Sequence, residues 1–208
     1  MNNVFDLYSK QYDAWYSRHE FAFLSEIEAI KKALPVDGKG LEIGVGTGRF
    51  ASSLGISTGI DPSSEMLRIA KERGVDTYLG FGETLPFPQE VFDYVAVIIS
   101  LCFVENPKKV IEEAYRVLKT NGKVIIGIVD RESFLGTFYQ RKESVFYKKA
   151  RFFSVAEVTG LLKEYDFSFF SYYQTISVLP DDMESVEKPQ KGFGKGGFIV
   201  IAAKKTSL

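Results

Sequence analysis

Apolar residues fall along the chain in two rhythms, and the switching between them is the first structural signal. From residue 5 to 34 the spacing is helical: Phe23, Leu24, Ile27 and Ile30 share one face, and Pro35 with Gly38 closes the segment. Short continuous apolar runs of strand length follow at residues 40–43, 57–61, 76–79, 92–100 and 123–129. Helical stretches separate them. One opens at Pro62-Ser63-Ser64 and ends at Gly74; another, 107–118, lines up Val110, Ile111, Ala114, Val117 and Leu118 and stops at Asn121-Gly122.

Strands separated by helices in this way pair in parallel through right-handed crossovers. Runs that are apolar throughout, rather than alternating, belong to strands covered on both faces. The predicted fold class is therefore α/β, a doubly wound, Rossmann-like, mostly parallel sheet with helices on both faces. After Asp130 the rhythm changes. Residues 131–151 are aromatic and basic without clean periodicity, whereas 154–165 reads as a helix with Ser154 as N-cap and Glu157 three residues on. Residues 167–176 and 197–203 are two more strands with no helix pattern between them. They are expected to pair antiparallel at the sheet edge, which completes seven strands with the last antiparallel.

Composition narrows the chemistry. Lys plus Arg number 26 against 27 Asp plus Glu, so the basic excess of a phosphate-binding surface is missing and nucleic acid is not an expected partner. Cys102 is the one cysteine, which fits a reducing, cytoplasmic setting. Residues 1–20 show no signal-peptide pattern, and no apolar run nears the ~20 residues needed to cross a bilayer. His19 is the one histidine, and no His, Cys and carboxylate cluster has ligand spacing, so no metal is expected.

The chemistry points to one turn. Glu42-Ile43-Gly44-Val45-Gly46-Thr47-Gly48 leaves the first strand and enters a helix, where glycines allow a tight turn and close ligand approach to main-chain amides. Asp61 ends the next strand, where a carboxylate can accept both hydroxyls of a ribose. The spacing is G-x-G-x-G, not the G-x-G-x-x-G that suits a pyrophosphate. A carboxylate at Glu42 opposes a pyrophosphate and favours a cationic ligand, unless it is merely solvated or salt-bridged and the glycines only make a turn.

These features resemble the first motif of class I S-adenosylmethionine-dependent methyltransferases, and the likeness continues in order. Gly82-Glu83-Thr84-Leu85-Pro86-Phe87 with Phe92-Asp93, then 100–107, then Glu113 to Gly122, then 150–154 and 197–203 are each similar to that family's segments. The nearest branch is the small-molecule type that includes ubiquinone and menaquinone biosynthesis methyltransferases. The resemblance implies S-adenosyl-L-methionine as cofactor and a small-molecule methyl acceptor. It places Glu42 and Gly44, Val45, Gly46 and Gly48 at the methionine end and Asp61 on the ribose. Pro62, Met66, Phe81 and Gly82 would lie at the adenine, and Ser100 near the methionyl portion. Two positions depart from the family pattern: Phe81 stands where an Asp is frequent, and Phe103 where a His is frequent.

Residues 1–36 would form a helical lid and 37–208 the cofactor-binding domain, with the insertion at 131–153 on the acceptor side. Tyr8, Tyr12, Asp13, Trp15 and Tyr16 cluster in the lid; Tyr12 and Tyr16 are equally readable as packing or function, and Trp15 is read as packing. In the insertion the rings of Phe138, Tyr139, Phe146 and Tyr147 are read as acceptor-facing, and its Lys and Arg residues as a solvated face. If the acceptor must lose a proton, Tyr12, Tyr16 and Asp130 are the candidates. His19 reads as exposed, Cys102 as structural, and the glycine-rich stretch 191–197 as a connection. Two rivals remain: a non-catalytic S-adenosylmethionine-binding protein, which would lack a closed acceptor pocket, and a nicotinamide-dependent oxidoreductase.

Overall fold

The computed structural model describes residues 4–206; residues 1–3 and 207–208, at the ends of the two predicted segments, lie outside the described residues. In chain order the helices are α1 (Val4–Leu7), α2 (Ser9–Arg18), α3 (Glu20–Lys31), α4 (Arg49–Leu54), α5 (Ser64–Glu72), α6 (Pro107–Val117), α7 (Phe134–Arg141) and α8 (Val155–Glu164). The strands are β1 (Gly40–Ile43), β2 (Thr58–Asp61), β3 (Asp76–Leu79), β4 (Phe92–Ile98), β5 (Leu118–Val129), β6 (Phe167–Thr175), β7 (Gln190–Lys191) and β8 (Phe198–Lys205).

They form one sheet in the order β3-β2-β1-β4-β5-β8-β6-β7. The first five run parallel, and β8 lies antiparallel between β5 and β6. The sheet thus has eight strands rather than seven, because Gln190–Lys191 adds a two-residue edge to β6. The predicted antiparallel pairing of the last two long strands is present, but β8 is interior. Its residues are buried along almost the whole strand, so it needs a neighbour on each side as well as cover on each face.

Alternate strand residues supply two separate cores. Tyr94, Ala96 and Ile98 of β4 pack with α2, α3, α4 and α7, joined by Tyr16, Ile30, Phe50 and Tyr139. Val95 and Val97 face the other way, against Val110, Ala114 and Val117 of α6 and Val158 and Leu162 of α8. The parallel strands therefore carry apolar residues without interruption.

Differences from the predicted elements have local causes. Residues 5–34 form three helices, because the chain leaves helical geometry at Tyr8 and again at His19 (φ −116°, ψ 52°). Leu24 turns outward while Phe23, Ile27 and Ile30 are buried. Helix α6 passes straight into β5: Leu118 already pairs with Phe92, and Asn121, at φ 64°, belongs to a bulge in the strand rather than to the helix end. The 131–153 insertion contains α7, capped by the Ser133 hydroxyl on the Gly136 amide. Eight residues with Leu135 and Tyr139 as the inward pair are too few to show a periodicity. At α8 the predicted cap is complete, Ser154 and Glu157 satisfying each other's amides.

Candidate cofactor and acceptor site

The strands β1, β2 and β4 end together, and the turns that leave them enclose a cavity of about 800 Å³. A Rossmann-like sheet offers its ligand crevice at this point, where the strand order reverses at β1 and β4. Gly44 has φ 71°, and a Cβ there would meet the Ser100 Cβ at 2.4 Å, so glycine is the residue that lets β1 turn past the tip of β4. Ser100 closes the same seam by donating to the Ile43 carbonyl at 2.8 Å. Gly46 differs: at φ 52° its missing Cβ would meet nothing within 4 Å, and the backbone lies bare to the cavity.

Asp61 is the organising carboxylate. One oxygen accepts from the Gly46 amide and the other from the Ser63 amide, both at 2.9 Å. Burial pushes its pKa up to about 6, although both amides and their hydrogen bonds work to lower it. The loop and the aspartate are therefore bonded side by side in the wall of the cavity they line. Pro62, Met66, Phe81, Gly82 and Ser100 line it as well.

Other predicted positions do not reach it. Glu42, Val45 and Gly48 are absent from the cavity wall. Val45 fills the space opposite Gly59, and Gly48 lies against Ala70 as the left-handed residue that starts α4. Glu42 is buried behind the loop, where burial holds its carboxyl well above the ordinary range, an Ala51 amide opposes that shift, and one oxygen has no partner. The carboxylate facing the cavity beside Phe81 is Glu83, which accepts from the amides of Glu105 and Asn106. Nor does Asp130 touch either cavity; it lies buried in the turn after β5 and accepts from the Glu132 amide.

The N-terminal helices line one side of this cavity. Asp6 of α1 accepts from the Ser63 hydroxyl at 2.5 Å. Asp13 of α2 accepts from Thr47 Oγ1 (2.6 Å), from Arg49 Nε and Nη2 (2.8 and 2.9 Å) and from Arg73 Nη2 (2.9 Å). Phe5 packs edge-on to Phe103 and Tyr12. His19, outside this cavity, is only partly exposed: it stacks on Trp15 and bridges the Trp15 carbonyl and Asp181.

A second cavity, of about 520 Å³, lies deeper between α2, α3, α7 and the end of β5. It shares Tyr12, Ile99, Phe103 and Phe146 with the first, so the two meet at this wall. Ile99 there holds φ 53°, a left-handed backbone that a β-branched residue seldom adopts. The lining is aromatic: Trp15, Tyr16, Tyr139, Tyr147 and Phe152 all contribute. Of the insertion rings, Tyr139, Phe146 and Tyr147 thus face a cavity, while Phe138 stays partly exposed. Trp15, read from the sequence as packing, belongs to the wall. Tyr12 and Tyr16 share a hydroxyl–hydroxyl hydrogen bond of 3.0 Å, and burial pushes both pKa values upward. Both hydroxyls are therefore held in their neutral form. The Cys102 thiol, also in the wall, is pushed up to about 12 by burial.

A buried acid among the lining residues escaped the sequence reading. Glu26 of α3 is buried in this wall. Its signal is an acidic side chain three residues after Phe23 and four before Ile30, on the helix face that enters the core.

Comparisons with known proteins agree with this geometry. A family model described as a methyltransferase domain matches residues 41–126. The chain is 50% identical over 205 residues to an uncharacterized protein of Methanocaldococcus jannaschii, covering 98% of this chain and 99% of that one. It is 31% identical over 162 residues to the ubiquinone/menaquinone biosynthesis C-methyltransferase of Rickettsia bellii, covering 67% of this chain and 65% of the relative. Among solved structures it is similar to a SAM-dependent methyltransferase of Thermotoga maritima, described as a possible histamine N-methyltransferase. The TM-score is 0.95 and the identity 45%, with 98% of each chain covered. A glycine loop bonded to an aspartate in the wall of a ligand-sized cavity, in a chain so closely related, leaves one conclusion: the protein belongs to the S-adenosylmethionine-dependent methyltransferase family.

Proposed function

We propose that the outer cavity holds S-adenosylmethionine, that the inner cavity holds a small, largely apolar acceptor, and that the methyl group passes between them at the wall formed by Tyr12, Ile99, Phe103 and Phe146. The observation that carries this reading is the pair of adjoining cavities, one built on Gly46 and Asp61 and the other on aromatic rings. The residues fit the cofactor: Asp61 has lone pairs left for ribose hydroxyls, and the bare face of Gly46 leaves room beside its backbone. Pro62 and Met66 would flank the adenine, with Phe81 and Gly82 on its other side and Ser100 and Gly44 at the methionyl end. When bound, the cofactor supplies an electrophilic methyl on a sulfonium.

This chain's own contribution is positional. A lid of α1 and α2, held by Asp6 and Asp13, excludes water from the outer cavity. The rings orient an acceptor at the junction, and the paired hydroxyls of Tyr12 and Tyr16 present hydrogen bonds to it. No base is required for an acceptor that carries a free lone pair. The amine named for the Thermotoga relative favours a nitrogen acceptor. An aromatic-lined second cavity adjoining the first also favours transfer over mere cofactor binding.

The test uses S-adenosylmethionine labelled in its methyl group, offered with pools of small amines, phenols and thiols. Acceptor-dependent labelling is expected in the native protein. It should be lost in Val129→Phe, which narrows the inner cavity while leaving S-adenosylhomocysteine binding intact. Labelling unaffected by that substitution would refute the acceptor placement, and absence of S-adenosylhomocysteine binding would refute the whole reading.

A further inference from the structure

Glu26 poses a physical problem. Its side chain is 2% exposed and lines the inner cavity, yet Oε2 has no hydrogen-bond partner, and no ion pair reaches the residue among the described residues. A desolvated carboxyl without a partner costs several kcal/mol, and buried charges in folded proteins are normally paired. The other acids and bases facing that space do not resolve it. Arg18, Lys142 and Glu143 are exposed at the rim, and the buried remainder consists of neutral tyrosine hydroxyls and the Cys102 thiol. Helix α3 keeps an acid where its own pattern calls for an apolar residue.

The surroundings point to the missing partner. Trp15, Tyr12, Tyr16, Tyr139, Tyr147 and Phe152 ring the same volume, and their faces are electron-rich. One carboxyl among several aromatic faces attracts a cation twice over and repels an anion. A neutral apolar ligand would fill the cavity but leave Glu26 unsatisfied.

We propose that Glu26 is the specificity-determining residue of the inner cavity, and that the acceptor bound there carries, apart from the atom that takes the methyl group, a basic nitrogen whose positive charge is held by Glu26 within the aromatic ring set. An entering ammonium pairs with the ionised carboxylate; a free amine meeting the protonated acid takes its proton and forms the same pair. This inference rests on the two-cavity reading above and adds the charge of the ligand.

The experiment measures binding of three probes of similar size to the protein saturated with S-adenosylhomocysteine: phenethylamine, 2-phenylethanol and phenylacetate. The readouts are calorimetry and the emission of Trp15, the single tryptophan, which stands in the cavity wall. The amine should bind about tenfold or more tighter than the alcohol, and the anion weakest. Glu26→Gln and Glu26→Met should both bring the amine down to the level of the alcohol while S-adenosylhomocysteine affinity holds. Glu26→Asp should restore part of the preference. Equal binding of amine and alcohol, no binding of any probe, or an amine preference that survives both substitutions overturns the proposal. Failure of S-adenosylhomocysteine to bind would instead strike at the outer-cavity assignment.

Discussion

Replacing Asp13 by Asn removes the charge at the point where α2 meets the glycine turn. Four hydrogen bonds converge on that carboxylate, three from two guanidinium groups and one from the Thr47 hydroxyl. The side chains are only 18% (Asp13), 19% (Arg49) and 27% (Arg73) exposed, so solvent screens the pairs less than it would on an open surface. Hydrogen bonds to charged groups contribute about 1.5–3 kcal/mol each and do not add in full. Both arginines keep another partner, Ser17 for Arg49 and the Thr47 carbonyl for Arg73. The expected loss at pH 7 is therefore roughly 2–4 kcal/mol, well short of four bonds' sum. The pH dependence follows from the direction of the shift. Burial works to raise the Asp13 pKa, but the bonds from Arg49, Arg73 and Thr47 outweigh it and hold the carboxyl far below its usual value. The stabilisation is thus fully present above the unfolded pKa near ~3.9 and fades as pH falls through and below it. Urea unfolding at pH 7 and at pH 3.5 measures both effects. A native-minus-variant difference under about 0.5 kcal/mol at pH 7, or one that does not shrink in acid, would refute the reasoning.

The glycine turn and Cys102 give further expected outcomes. Gly44→Ala combines a left-handed backbone with a collision against Ser100 and should cost about 2–4 kcal/mol in urea unfolding. Gly46→Ala meets no neighbour and should cost only ~1 kcal/mol, yet lower S-adenosylhomocysteine affinity because its methyl enters the cavity; equal stability losses at the two sites would contradict the placement of the loop. Cys102, with its thiol pushed up to about 12, should react with a disulfide reagent at pH 8 about three orders of magnitude more slowly than a free thiol and become fast in urea; rapid labelling of the native protein would place it in a different setting.

How much of this was legible beforehand depended on the length scale of each signal. The parallel half of the sheet is written in continuous apolar runs, and the glycine turn with Asp61 is a local motif, so both could be read directly. Glu42 shows the limit: its position beside the turn is plain, but whether the side chain points to the ligand or into the core depends on packing around Ala51. Asp130 misled for the same reason, since the tip of a strand is a place and not a direction. The inner cavity was the least legible part. Its wall joins Tyr16 and Glu26 to Tyr139 and Tyr147, two pairs more than a hundred positions apart and carried partly by a helix too short to show its period. Glu26 itself breaks the apolar face of α3, and such a breach in a buried stripe is the one trace the sequence kept.

The account stands or falls on Asp61 as the anchor of an adenosine-bearing sulfonium cofactor. The direct measurement is calorimetric titration of S-adenosylhomocysteine, and of NADH beside it, into native protein and Asp61→Ala between pH 5 and pH 8. Because burial pushes Asp61 up to about 6, native affinity should weaken as pH drops below that value, when the proton must leave before hydroxyls can donate. Asp61→Ala should bind about 30- to 1000-fold more weakly at pH 8, about 2–4 kcal/mol and less than the full sum of two hydrogen bonds to a charged group, and lose that pH dependence. NADH should bind neither protein. Tight NADH binding, or S-adenosylhomocysteine affinity indifferent to Asp61, would contradict it.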